Sequence, residues 1–200
     1  MHALLRRVHK AIFRSDGLHQ LLAAGAFCGM IGAAEAADYK GPGLTADVYM
    51  GFQGSSQPVM RMYLGTSGAR LEPFSRADDE PDFLIARLSE EAQYEVYLDR
   101  RRAYRTRMEA DELASARGEF CADFASRTKT GSETVSGRRT EVWQCSGATD
   151  GPDQVVWWDP VLLAEIRKDR AGLVIELRNI EVGQPDPRLF NVPAGVRVIR

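Results

Sequence analysis

The feature that most constrains this chain is an alternation of apolar and polar residues at period two, recurring between turn signals from Ala46 to Val182. Successive side chains of a strand point to opposite faces, so this pattern marks half-buried β-strands. Ala46, Val48, Met50 and Phe52 alternate with Thr45, Asp47 and Tyr49. After Gly54-Ser55-Ser56, Met60, Met62 and Leu64 alternate with Arg61 and Tyr63, which completes a hairpin. Gly65-Thr66-Ser67-Gly68 turns the chain into residues 69–74, and an acidic connection, Asp78-Asp79-Glu80-Pro81-Asp82, follows. Residues 83–88 and 93–99 read as a second pair around Ser89-Glu90-Glu91, with Tyr94, Val96 and Leu98 on one face. Arg100–Arg102 then leads into residues 103–107.

Between residues 108 and 124 the alternation stops. Glu109-Ala110-Asp111-Glu112-Leu113-Ala114 is rich in helix formers, and no turn residue intervenes before Gly118. This predicts one or two short helices, with Cys121 at or just beyond their end. Strands resume at 133–135 and 138–145 around Ser136-Gly137, and Asp150-Gly151-Pro152-Asp153 turns into 155–159. Leu162, Ala164 and Ile166 alternate with Leu163, Glu165 and Arg167; beyond Ala171-Gly172, Leu173, Ile175 and Leu177 alternate with Val174, Glu176 and Arg178. The phase slips at Asn179, since Ile180 and Val182 continue one register over, and a β-bulge is the simplest cause. There is no βαβ rhythm and no fixed-length repeat. A meander of about ten or eleven strands must curl or close. The expected fold is mainly β: a strongly curved antiparallel sheet, a half-open β-barrel, with the short helices on its concave face.

The first 36 residues read as a secretory signal peptide. Arg6, Arg7, Lys10 and Arg14 form a positive leader, residues 21–34 are apolar and small, and Ala34-Glu35-Ala36 offers an A-x-A site for cleavage between Ala36 and Ala37. The apolar run is too short for a membrane anchor. Cys28 follows Phe27, which does not suit lipidation, and Val8-His9-Lys10 does not continue a twin-arginine motif. Such a leader suits a Gram-negative bacterium and places the mature chain in the periplasm. The expected organisation is a cleaved leader at 1–36, a flexible start at 37–43 and one domain at 44–200. No second apolar run is long enough to span a bilayer.

Cleavage there removes all three histidines, His2, His9 and His19. It excludes Ser-His-Asp and Cys-His nucleophiles and imidazole metal sites from the mature chain, and neither a metal nor a cofactor is expected. From 26 basic and 28 acidic residues the leader takes four and two, leaving a charge of about −4, which is no footprint for nucleic acid. Cys121 and Cys145 remain, an even pair in an oxidising compartment. Without C-x-x-C spacing they read as a structural bridge, which stabilises by about 3 kcal/mol in the chain-entropy model. The cluster at Asp78, Asp79, Glu80 and Asp82 lacks calcium-loop spacing and reads as a solvated turn. Trp157 and Trp158, adjacent on a strand, point to opposite faces.

The C-terminal run from Gly172 to Gly195 resembles the ending of the periplasmic lipoprotein-carrier-like superfamily, the outer-membrane lipoprotein-sorting type, in its uncharacterised exported branch. Chains of that kind end in E-L-x-N-I and then P-D-x-x-L-F-x-V-P-A-G. Here these are Glu176, Leu177, Asn179 and Ile180, then Pro185, Asp186, Leu189, Phe190, Val192, Pro193, Ala194 and Gly195. Gly131 through Gly137 matches a G-x-E-x-V-x-G turn, Val156-Trp157-Trp158-Asp159 a W-x-D strand, and Tyr97 through Tyr104 a hairpin with a charged turn. The resemblance implies an incomplete antiparallel barrel wrapped around helices, whose lining accepts acyl chains.

Two non-enzymatic functions follow. In one, Met50, Met60, Met62, Val96, Leu98, Trp157, Ile166, Ile175 and Leu177 line a cavity for a lipid or the acyl chain of a lipoprotein; methionine suits surfaces that accommodate variable apolar ligands. In the other, the chain is a periplasmic protein-interaction or envelope-stress-sensing module whose partner is a protein. An enzyme would have to work with carboxylates alone. N-terminal sequencing of exported protein should read Ala37-Asp38-Tyr39; a chain still starting at Met1 would undo the compartment, the bridge and the histidine exclusion together.

Overall fold

The computed structural model describes residues 39–52, 54–108, 120–121, 124–148 and 151–200. Among them are twelve strands in one sheet: β1 (Leu44–Phe52), β2 (Ser55–Gly65), β3 (Gly68–Pro73), β4 (Phe83–Arg87), β5 (Ala92–Tyr97), β6 (Arg102–Arg107), β7 (Phe124–Val135), β8 (Arg138–Ala148), β9 (Gln154–Asp159), β10 (Ala164–Arg170), β11 (Leu173–Val182) and β12 (Arg197–Ile199). Their order is β12-β6-β5-β4-β3-β2-β1-β11-β10-β9-β8-β7. The sheet is curved, open and antiparallel, except that β12 runs parallel to β6. Two meanders, β1 to β6 and β7 to β11, are joined where β11 returns to pair with β1. No helix among the described residues is long and apolar enough to cross a membrane.

Turn chemistry sets the hairpins. Ser136-Gly137 and Ala171-Gly172 both have positive φ at each residue (48° and 75°, 53° and 84°), the two-residue turn whose twist matches the flanking strands. The expected bulge is present: Thr45 pairs with Glu181 but Asp47 pairs with Arg178, so β11 carries one extra residue near Asn179, whose φ is 52°.

Alternation in the sequence missed three details. β7 begins at Phe124 rather than at 133, because this edge strand is exposed on both faces and has no apolar phase to read. Its charges, including Lys129 paired with Glu141 of β8 at 2.6 Å, discourage pairing with another chain. Leu162 and Leu163 form the turn before β10 instead of its first residues, and Leu163 has φ 52°. β12 has only three residues, too few for a periodicity. The helices expected between 108 and 124 fall mostly outside the described residues.

The motif at 185–195 is a strap. After β11 the chain crosses the sheet face of β3 and β4, where a short 3₁₀ turn, Pro187–Phe190, contacts both strands, and it ends as β12 beside β6. Asp186 starts that turn by accepting a hydrogen bond from the Arg188 amide (2.9 Å). Phe190 is buried with Phe83, Ile85, Tyr94, Val96 and Ala103. Arg70 holds the strap from below: its Nη1 donates to the Leu189 carbonyl at 3.2 Å, and its guanidinium lies 3.5 Å from the centre of the Phe83 ring. Gly65 makes room, since a Cβ there would come within 3.1 Å of the Phe190 ring.

Truncating a buried phenylalanine typically costs about 3–5 kcal/mol. Phe190→Ala should therefore lower the urea-unfolding free energy by about that amount and loosen β12; a loss under about 1 kcal/mol would show that the strap is not part of the core.

Candidate functional site

Cross-strand register divides the side chains between two faces. Met60 stands opposite Val48, which stands opposite Leu177; Met62 stands opposite Ala46, and Met50 opposite Ile175. These residues, with Leu44, Leu64, Ala164 and Ile166, belong to one apolar cluster spanning β2, β1, β11 and β10. Residues from connections pack onto it: Leu88, Met108, Leu162 and Tyr39. The Tyr39 hydroxyl donates to the Leu162 carbonyl, and burial, with the charge of Asp159 added, pushes its phenol well above the ordinary range.

Seven of the nine residues expected to line a cavity meet here: Met50, Met60, Met62, Trp157, Ile166, Ile175 and Leu177. Met60 and Met62 are buried and Met50 is half-buried. The other two lie elsewhere. From β2 to β5 the register runs Met62, Leu71, Leu84, Glu95, so Glu95 takes the place on this face that Val96 was expected to hold. Val96 is on the opposite face with Phe190, under the strap. Leu98 lies in the turn after β5 and is 45% exposed. Trp157 pairs with Arg167 and Val142, its ring 4.7 Å from the Arg167 guanidinium and its indole N–H donating to Glu133 at 2.6 Å. It packs against the cluster as a half-buried residue, as Met50 does. Its neighbour Trp158 is the one packed beside Val156, stacked on Phe120 with ring centres 4.9 Å apart. Cys121 and Cys145 are joined in that same cluster, with Cα atoms 5.7 Å apart.

Sequence reasoning missed the buried charges at Asp47, Glu95, Asp159, Glu165 and Lys168. Glu95 is 8% exposed and accepts from the Tyr97 hydroxyl at 3.2 Å. Glu165 and Lys168 form an ion pair at 3.3 Å, with side chains 2% and 4% exposed. A signal was present, since Lys168 continues the phase of Ala164 and Ile166.

The opposite face of β1 and β11 is a polar ladder. Asp47 accepts from Arg61 Nε (2.9 Å) and from Asn179 Nδ2 (2.8 Å), and Arg178 lies over the Tyr49 ring. Burial pushes the Glu176 carboxyl up. Hydrogen bonds from Arg178 Nε (2.8 Å) and Ser136 Oγ (3.0 Å), with the charges of Arg178 and Arg167, outweigh it and hold the group below the ordinary carboxylate range. Among the described residues no three His, Cys, Asp or Glu side chains converge as metal ligands. The chemistry this arrangement offers is apolar contact on one face and hydrogen bonding with solvent on the other.

No family model and no curated protein matches the sequence. Among solved structures the chain is similar to an uncharacterised conserved protein from Thermus thermophilus, at 12% identity and a TM-score of 0.53 over 80% of this chain and 91% of that one. The two share a fold. Looser likenesses are a LolA superfamily protein from Nitrosomonas europaea (9% identity, TM-score 0.39, 78% of this chain and 93% of that one) and the MucA/MucB complex of Pseudomonas aeruginosa (11%, 0.44, 78% and 58%).

A carboxylate held low contributes stability that is fully present above its unfolded value, about 4.3, and is lost as pH falls through the lower folded value. Urea midpoints should fall between about pH 5 and about pH 3, and Glu176→Gln should flatten that descent. Equal slopes in the two proteins would mean that Glu176 gains nothing from its partners.

Proposed function

We propose that this chain is an exported, non-enzymatic protein of the periplasm that holds a hydrophobic ligand, a lipid or an acyl chain, against the apolar face of its sheet. The observation that supports this reading best is the face itself. Met60, Met62 and Met50 lie among Val48, Ile166, Ile175 and Leu177, and methionine, unbranched and polarizable, repacks around ligands of different shape. The side chains packed over the face include Leu88, Met108 and Leu162, which come from connections rather than strands. Such a cover parts without breaking the sheet ladder, and entry of a ligand would exchange protein–protein for protein–ligand contacts of similar apolar area. The signal-like leader and the Cys121–Cys145 bridge agree with export.

Native mass spectra of protein taken directly from the periplasm should show lipid adducts, and delipidated protein should bind a fluorescent fatty-acid probe with saturation. Lipid-free spectra together with no probe binding would overturn the reading in favour of a protein-interaction module without lipid cargo.

A further inference from the structure

We infer that the cleft at the β12 edge of the sheet binds a phosphate-bearing ligand. It is about 1020 Å³ in volume and is lined by four arginines, Arg102, Arg105, Arg197 and Arg200, together with Glu90 and Tyr94. β6 supplies Arg102 and Arg105 and β12 supplies Arg197, which stands opposite Arg102; Arg200 follows β12 at the same rim. The acid in this lining is already engaged. Glu90 pairs with Arg87 at 2.5 Å and accepts from the Tyr94 hydroxyl, while its backbone carbonyl accepts from Arg105 at 3.2 Å. Arg102, Arg197 and Arg200 make no ion pair with any described residue.

Like charges directly opposite one another on neighbouring strands destabilise a sheet. Here Arg102 and Arg197 form such a pair at one edge of a chain whose formal charge is −2, and Arg105 and Arg200 line the same cleft. Charges on an edge strand do keep sheets from joining, but that needs only an interrupted edge, and not guanidinium groups gathered from two strands around a cleft. An anion resolves the repulsion. The guanidinium fork donates two parallel hydrogen bonds to phosphate oxygens, and adjacent forks share one dianion. The cleft exceeds the volume of one phosphate, so it also admits the group that carries it. β5, β4, β3 and β2 separate β6 from β1, and the site does not rest on the hydrophobic-ligand reading.

The test uses the exported chain at fixed ionic strength and follows the thermal midpoint with inorganic phosphate, glycerol phosphate or matched chloride. Co-sedimentation with phosphatidylcholine vesicles, with and without phosphatidylglycerol, is the second arm. Phosphate should raise the midpoint with saturation and chloride should not. Arg102→Gln combined with Arg197→Gln should weaken the phosphate response about tenfold while raising the ligand-free midpoint, a sign that a merely misfolded variant cannot give. Arg139→Gln, at an exposed position of β8, should change neither. Vesicle binding that needs phosphatidylglycerol and is lost in the double variant assigns the site to a lipid headgroup; a response to the soluble phosphates alone assigns it to a free phosphate ester. Overturning results are equal responses to phosphate and chloride with no vesicle binding, an undiminished response in the double variant, a lowered ligand-free midpoint, or binding of polyglutamate but of no phosphate compound.

Discussion

The pairing of β1 with β11 is the contact on which the rest of the sheet depends. Each meander is built from local hairpins, and the β1–β11 ladder joins the two; within it Asp47 and Asn179, 132 residues apart, meet at 2.8 Å. Asp47 is 8% exposed and uses both carboxylate oxygens, one toward Arg61 of β2 and one toward Asn179 at the β11 bulge. A buried carboxylate with its donors removed costs more than the bonds are worth when made. The junction therefore tolerates this register and penalises its neighbours. A one-residue slip would also carry Leu177 and Ile175 to the polar face. Contacts of such separation form late and at an entropic cost, so the hairpins must already be in place to make the seam favourable.

A sheet of one layer has two faces, and this chain covers them differently. On β1, β2, β10 and β11 one face is apolar and the other carries a ladder of charges and aromatic rings that needs no cover. On β3 to β6 the polarity is mixed: Leu71 and Leu84 face the first cluster, while Ile85, Tyr94 and Val96 face away from it. That second apolar patch is why the strap exists. The C-terminal motif that looked like a family ending is a set of working parts, with Asp186 to start the turn, Phe190 to fill the patch, and Val192 and Val196 to seal it.

Much of the architecture was legible because alternation, turn residues and the phase slip at Asn179 are all local. The relative phase of distant strands was not. Met62 and Val96 each sit on the apolar phase of their own strand, yet they face opposite ways, because the register through β3 and β4 sets their relation and no local pattern records it. Two apolar faces in one half of the sheet make both phases look equally good. Trp157 and Trp158 present the same ambiguity at adjacent positions. β7 was only partly legible because neither of its faces is buried, and β12 because three residues carry no period.

The buried ion pair of β10 shows how one backbone irregularity admits charge to an apolar face. In a regular strand, residues 165 and 168 point to opposite sides. Glu165 pairs with Trp158 and Lys168 with Val156, two residues that share a side, so the strand must hold an extra residue between them. Ile166 is that residue, fully buried in the main cluster. The bulge thus makes the Glu165–Lys168 contact possible, and the contact in turn favours the bulge, since slipping back to regular pairing would separate two charges that are almost completely withdrawn from water. Apolar residues of similar volume could stabilise the sheet as well or better. What they would not do is specify where β10 bends, and that bend sets how Ile166 meets Leu177 and the methionines beyond it.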